Sequence, residues 1–386
     1  MPGSESFTAG SEKPRLETEI QKADAGRTRE PDDPLPAPDE SLPEYDVIVI
    51  GAGPAGCEAS LAAGRAGAHV LCLTINLDNI GLHPAGPLLA GGEKDPRYRL
   101  LRELRELNGV LPVLLDKEGI ANTAEAAAGR VVIDRRRLSL AYKETVETAA
   151  RIELRQALVT GLQPVSGAWH VETRLGECFT AGCLVIATGT QLEGKVHEGG
   201  TVAPGGRHGE IPSNSLAACL QSLGLALERA NATCFPRLDS RAAPLGPSLL
   251  PDGSQLGELY ALDLEFPGDR AAQLASIRTL PELDSAWMTR PLFTVRHWIL
   301  SHGQVSTHLQ CLRHPGLFVA GRAAGACNYS EAAALGLIAG SNAAIQSAGK
   351  APNCLTTNKK VVTKLCEIVA SQEIRPVTIR REPPGC

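Results

Sequence analysis

Apolar residues follow no period through residues 1–44. The first organised pattern is Val47-Ile48-Val49-Ile50, a β-branched run without polar alternation. A strand reads this way when both of its faces are covered, as in the middle of a parallel sheet. The Ala-rich stretch 55–66 then predicts a helix closed by Gly67, and Val70 to Thr74 predicts a second buried strand, completing a βαβ unit. Helical periodicity returns at 97–107 and 135–150. Residues 152–173 predict a β-meander, and Cys183-Leu184-Val185-Ile186-Ala187 predicts a buried strand ending at Thr188-Gly189. From 195 to 290, glycine, proline and serine punctuate the chain and periodicity weakens, the pattern of an inserted subdomain. Leu317-Phe318-Val319-Ala320-Gly321 returns to strand-then-glycine, and 330–347 predicts a long Ala-rich helix. Strands alternating with helices predict an α/β fold around a parallel sheet.

Composition sharpens the boundaries. Residues 1–44 hold seven prolines, eleven acids and five bases. Such a segment cannot offset its ordering entropy and is expected to be a disordered acidic tail. The whole chain carries −5, so the remainder is close to neutral, and with 14 aromatic residues it lacks the gross footprint of a nucleic-acid binder. No apolar stretch approaches the roughly 20 residues a membrane span needs. The eleven cysteines include no C-x-x-C pair and follow no signal-peptide pattern, which predicts a reducing, cytoplasmic compartment, no membrane partner and no metal site. The expected organisation is the tail, a cofactor-binding domain in two parts (45–195 and 290–348), an inserted subdomain (196–289) and a C-terminal extension (349–386).

Gly51-Ala52-Gly53-Pro54-Ala55-Gly56 is a G-x-G-x-x-G between a predicted strand and a predicted helix. In that context the first glycine makes the turn, the second admits a pyrophosphate and the third lets helix pack on strand. The helix N-terminus adds N–H donors and a partial positive charge. About 20 residues on, an acid is expected to hold a ribose hydroxyl, and here Thr74-Ile75-Asn76 occupies the place. Asn76 can still bond a hydroxyl, so dinucleotide binding survives while an ordinary NAD dehydrogenase becomes a poorer reading.

Four further segments carry a resemblance: Leu73 to Gly81 (LTINLDNIG), Gly189 to His197 (GTQLEGKVH), Gly205-Gly206-Arg207 with Ile211-Pro212-Ser213, and Gly316 to Arg322 leading into Tyr329-Ser330-Glu331-Ala332-Ala333. In this order they resemble the MnmG/GidA family, flavoproteins of tRNA wobble-uridine modification, over about 45 to 345. The resemblance implies FAD in a Rossmann-type, glutathione-reductase-like fold. It implies that Gly51, Ala52, Gly53, Pro54, Ala55 and Gly56 hold the pyrophosphate, that Asn76 lies near the adenosine ribose and that Leu158 lies by the adenine. Thr188, Gly189 and Gly321 end strands that converge on the cofactor, and Ser213 and Arg322 approach the flavin end. Arg322 stands where the family has a neutral amide, so its charge would favour an anionic reduced flavin; the plainer reading is a surface ion pair.

The chain also departs from the family. The family's catalytic thiol lies in a C-N-P segment, whereas the corresponding stretch Gly81 to Pro87 has no cysteine. The segment linked to the nicotinamide cofactor, with the second thiol, is not recognisable in 242–286. Only 36 residues follow Lys350, so the sequence resembles a short form without the helical region that meets tRNA and the MnmE-like GTPase partner. The remaining catalytic candidates are His83, beside the missing thiol and weighed against a solvated loop residue, and Cys234, weighed against a small core or loop residue. His197 and His208 lie in similar loops and could serve as acids or bases, with a solvated loop residue the favoured reading, and Arg135-Arg136-Arg137 reads as a solvated helix face rather than a phosphate contact. The function expected is FAD-dependent oxidation or reduction of a one-carbon adduct in tRNA wobble-uridine modification. Two alternatives stand beside it: an FAD-binding redox sensor or scaffold, and an FAD oxidoreductase of a small metabolite. A homodimer stays open.

Overall fold

The β-branched run 45–50 sits between two parallel neighbours in the computed structural model, which describes residues 43–84, 88–91, 94–117, 120–121, 131–239, 259–261, 268–279, 283–353 and 360–371. Strand β1 (Tyr45–Ile50) leads through the glycine loop into helix α1 (Pro54–Arg65) and strand β2 (Val70–Thr74). Helices α2 (Pro96–Glu106), α3 (Val110–Leu115) and α4 (Arg135–Glu147) follow, then strands β3 (Ile152–Gln156), β4 (Val159–Val165), β5 (Ala168–Thr173) and β6 (Cys178–Ile186). Their order across the sheet is β3-β2-β1-β6-β5-β4. Val47 lies opposite Val70 on one side and opposite Cys183 on the other, both pairings parallel. Val47, Ile48 and Val49 are fully buried, which is why no polar residue interrupts the run.

The predicted meander is corrected in its first strand. β3 pairs parallel with β2, with Val70 opposite Ile152, so it extends the parallel half of the sheet. Only β4, β5 and the start of β6 run antiparallel. The later half of β6 instead takes a parallel neighbour at Leu317–Val319, with Leu317 opposite Leu184.

A second sheet holds β7 (Lys195–Glu198), β8 (Thr201–Pro204), β9 (Leu227–Cys234) and β10 (Phe293–Leu300), all antiparallel, in the order β8-β7-β10-β9. Strand pairing therefore runs past the division expected at 289, because β10 pairs with both β7 and β9. Helix α5 (Asn214–Ser222) connects β8 to β9. A third set of strands, 237–239, 259–261 and 288–290, lies beside this sheet in sequence.

Two contacts fix the glycine loop's helix. The long helix α6 (Tyr329–Ser347) crosses α1 at close range: a Cβ at Gly336 would lie 2.1 Å from Ala55 O, and one at Gly340 would lie 2.1 Å from Ala59 O. Only glycine at both positions lets the backbones approach this closely. On the other side Glu58, fully buried, accepts the N–H groups of Val110 at 2.9 Å and Leu111 at 2.5 Å, and the Tyr142 hydroxyl at 2.9 Å. This carboxylate satisfies donors that open α3 and ties α4 to the same spot. Among the described residues no helix is long and apolar enough to cross a membrane.

Candidate functional site

The three loop glycines have different physical reasons. Gly51 has φ +108°, and a Cβ there would lie 2.4 Å from Ala187 O. A Cβ at Gly56 would lie 1.6 Å from Gly51 O. The chain itself excludes side chains at both. Gly53 is extended, with φ −71° and ψ −172°, and a Cβ there would meet nothing within 4 Å. Neither backbone nor packing demands glycine at 53; the space beside it is open. Gly53 is also the N-cap of α1, without a side-chain cap and with no acid in the first turn, so the helix's leading N–H groups face that space unneutralised. A phosphate fits this donor set.

Two hollows meet at the loop and share Gly53, Ala187, Gly189 and Arg207. The first, of about 590 Å³, is lined by Thr74, Asn76, Leu158, Thr188 and Ser213 among others. The second, of about 920 Å³, is lined by His83, Cys234, Arg322, Cys327 and Tyr329 among others. Joined across a glycine, the pair suits an extended dinucleotide with one base in each.

In the first hollow, Asn76 Oδ1 accepts the Asp78 N–H at 2.8 Å and caps the turn 77–79, which aims its amide nitrogen as the remaining donor. The Thr188 hydroxyl is buried with no hydrogen-bond partner among the described residues, a group that a bound hydroxyl or phosphate would satisfy. Glu210 gathers the floor: it accepts from Asn79 at 2.8 Å and from Gln191, and it pairs with Arg207 at 3.5 Å. Glu210 and Gln191 were not among the expected site residues. They sit near Gly205-Gly206-Arg207 and Gly189, so those glycine clusters were the available signal.

In the second hollow, His83 is 4% exposed and stacks on Tyr329 with centroids 4.5 Å apart; it is a wall residue and not a solvated loop residue. The Tyr329 hydroxyl donates to Gly81 O at 2.6 Å, fixing the wall. Cys234 is buried with Val196, Phe293 and Val295, and burial raises its pKa against the opposing pull of Arg290, Arg207, Arg237 and Arg322. Arg322 donates to the carbonyls of Ala326, at 2.8 Å, and Asn231. The surface ion pair is thus corrected: burial lowers this guanidinium's pKa against the opposing pull of Cys327, Glu331 and Cys234, and the acceptors at Ala326 and Asn231 are neutral carbonyls. Glu331 is fully buried, accepts the Cys327 N–H at 2.8 Å, and has its pKa raised by burial. Cys327 is exposed, in no disulfide, and just ahead of α6, a thiol the sequence did not single out.

Several expected residues are placed otherwise. Ser213 lines the first hollow and Arg322 the second, because the Ser213 N–H bonds Gln191 O at 2.8 Å beside the Thr188-Gly189 strand end. Gly56 and Gly321 line neither hollow. A Cβ at Gly321, with φ +63°, would come within 2.6 Å of Ala55 Cβ, so this glycine seats the 321–324 turn on α1. His208 bonds Glu198 at 2.7 Å and packs edge-on against Phe293, and His197 is half-buried on β7. Arg136 and Arg137 are exposed, but Arg135 is drawn inward: burial, then Arg237 and Arg290, lower its pKa to about 9. Its charge is in electrostatic contact with strands 237–239 and 288–290, which no local pattern could show. Among the described residues no group of three or more His, Cys, Asp or Glu is placed to hold a metal ion.

The family profile described as "Glucose inhibited division protein A" matches residues 46–245 and 248–351. The tRNA uridine 5-carboxymethylaminomethyl modification enzyme MnmG of Synechocystis is 28% identical over 434 aligned positions, covering 88% of this chain and 67% of that protein. MnmG of Geobacter metallireducens is 28% identical, covering 80% of this chain and 63% of its own length. The chain thus spans about two thirds of these curated relatives. The structure of Aquifex aeolicus GidA superposes with a TM-score of 0.77 at 24% identity, covering 85% of this chain and 68% of that one. The same Rossmann-type α/β architecture underlies both. The chain belongs to the GidA family.

Proposed function

We propose that this chain binds FAD noncovalently along the two joined hollows and acts as an FAD-dependent oxidoreductase in tRNA wobble-uridine modification. The observation that carries the cofactor half is the open space at Gly53, at an uncapped helix N-terminus, inside a loop whose other glycines the fold itself requires. The N–H groups opening α1 would hold the pyrophosphate. Asn76 and Thr188 would bond the adenosine side, and Leu158 would lie against the adenine. The wall of His83 on Tyr329 would bound the flavin side and exclude water from it. Arg322 would place a positive charge there, favouring an anionic reduced ring. FAD, when bound, supplies hydride transfer. Among the titratable side chains of this hollow, His83, Cys234 and Cys327 are those from which a proton or thiol would come.

Membership of the family and the MnmG relatives support the tRNA half, with wobble uridine as substrate class and tRNA and an MnmE-like GTPase as partners. Mass spectrometry of tRNA nucleosides from cells with and without the gene tests it. Loss of the aminomethyl or carboxymethylaminomethyl uridine is expected. An unchanged nucleoside profile would overturn the tRNA reading and leave the cofactor reading to be judged by flavin content alone.

A further inference from the structure

Beside the second hollow stands a cluster of arginines that the cofactor reading does not use. Arg237 and Arg290 lie directly opposite each other where strands 237–239 and 288–290 pair. Like charges facing across an antiparallel pair destabilise it. Both are half-buried, and each has a buried Nε without a hydrogen-bond partner among the described residues. One terminal nitrogen of Arg207, which lines both hollows, is in the same state. Arg290 spends its Nη2 on the neutral carbonyls of Phe235 at 2.9 Å and, more weakly, Pro84 at 3.5 Å.

Among the described residues, nearby acids do not balance the cluster. Glu210 pairs with Arg207 at 3.5 Å but also serves Asn79 and Gln191. Asp134 is spent on the N–H groups of Arg136 and Arg137 and on the Arg137 side chain at 3.8 Å. Asp239 and Arg135 have interactions of their own. Burial, then the neighbouring Arg237, lowers the Arg290 pKa to about 10, the direction expected where desolvated cations lack enough negative charge. Three partly desolvated guanidinium groups within electrostatic range of one another, each keeping one buried N–H without an acceptor among the described residues, match a tetrahedral oxyanion.

We propose that Arg207, Arg237 and Arg290 form a binding site for a phosphate group carried by a second ligand, distinct from the glycine loop that would hold the cofactor's pyrophosphate. All three arginines act electrostatically on Cys234, which lines the second hollow. A phosphate seated among them therefore positions its carrier at the end where reaction would occur. The site stands on these side chains whatever occupies the glycine loop.

The test uses the purified full chain. Its thermal midpoint is followed as inorganic phosphate replaces chloride at fixed ionic strength, for wild type, Arg237→Gln and Arg290→Gln. The wild-type midpoint should rise and saturate. Each variant should weaken the apparent phosphate affinity about tenfold or more, the loss of one charge-assisted hydrogen bond. In chloride alone Arg237→Gln should be at least as stable as wild type, because it removes a facing like charge. If Arg290→Gln fails to fold, the wild-type titration and Arg237→Gln decide. The proposal falls if wild type shows no response beyond chloride, if the variants respond as wild type does, or if Arg237→Gln loses stability in chloride. It falls equally if Gly53→Val abolishes the response while the arginine variants keep it, since the anion would then sit in the loop. Competition by a short single-stranded RNA or by NADH, weakened in Arg237→Gln, identifies whether the phosphate comes on a polynucleotide or on a free dinucleotide.

Discussion

Replacing Gly53 with valine separates what the fold needs from what the cofactor needs. The backbone at 53 is extended, a conformation valine accepts, and the added Cβ meets nothing within 4 Å. Stiffening the unfolded chain contributes up to about 1 kcal/mol of stability. Losing glycine at an N-cap costs a similar amount. The cofactor-free variant should therefore unfold within about 1 kcal/mol of wild type. Binding should respond very differently, because the two methyl groups occupy the space through which a pyrophosphate reaches the α1 N–H groups. One or two charge-assisted bonds at roughly 1.5–3 kcal/mol each, together with the steric clash, predict a Kd for FAD raised at least about 100-fold. Gly56→Ala is the counterpart: its Cβ would lie 1.6 Å from Gly51 O, so it should fail to fold or lose several kcal/mol, about the upper range for overpacking. Circular dichroism melts of stripped protein and flavin fluorescence quenching on titration read the two quantities separately. A Gly53→Val protein that folds and binds FAD like wild type would refute the loop assignment.

The remaining expectations concern stability and the tail. His297 is fully buried, and burial, with Arg322 adding, lowers its pKa to about 4. The unfolded chain takes that proton near pH 6.5, so stability from this group is present above that pH and falls by up to about 3 kcal/mol as pH drops to 4. Denaturant titrations of wild type and His297→Gln across that window should show a shallower pH slope in the variant. Glu58→Ala should cost about 3 kcal/mol or more, since it strands the N–H groups of Val110 and Leu111 and the Tyr142 hydroxyl. Tyr142→Phe, which removes one of those three bonds, should cost about 1 kcal/mol in the same chemical denaturation. A chain beginning at Pro43 should keep the thermal midpoint and flavin content of the full chain, because residues 1–42 have the composition of a solvated segment; a drop of many degrees would count against that.

Local signals carried the first half of the architecture. The uninterrupted run 47–50 announced a strand buried on both faces, and the loop glycines announced the turn beside it, because each depends on residues adjacent in sequence. The assignment of 152–156 to a meander failed for the opposite reason. Whether a strand pairs with its successor or, like β3, with β2 some eighty residues earlier is decided by the sheet and not by the strand's own pattern. Likewise Phe293–Leu300 alternates as an edge strand would, yet its partners are 195–198 and 227–234. Asn76, Leu158 and Thr188 all line the first hollow; Asn76 and Thr188 were legible as strand-end positions, Leu158 only through the family resemblance. Cys327, Tyr329 and the facing Arg237 and Arg290 were not, since their chemistry arises only when distant segments meet. Gly336 and Gly340, four apart in an Ala-rich helix, were a readable sign of a close helix crossing whose partner the sequence did not name.

The central claim, that the joined hollows hold FAD, is tested most directly by the visible absorption spectrum of the full chain as purified, followed by release of the chromophore on denaturation. A yellow protein that yields noncovalent FAD at about one per chain is expected, together with a colourless, folded Gly53→Val variant. A wild-type chain that is folded yet colourless, and that takes up no FAD when it is supplied, would contradict it.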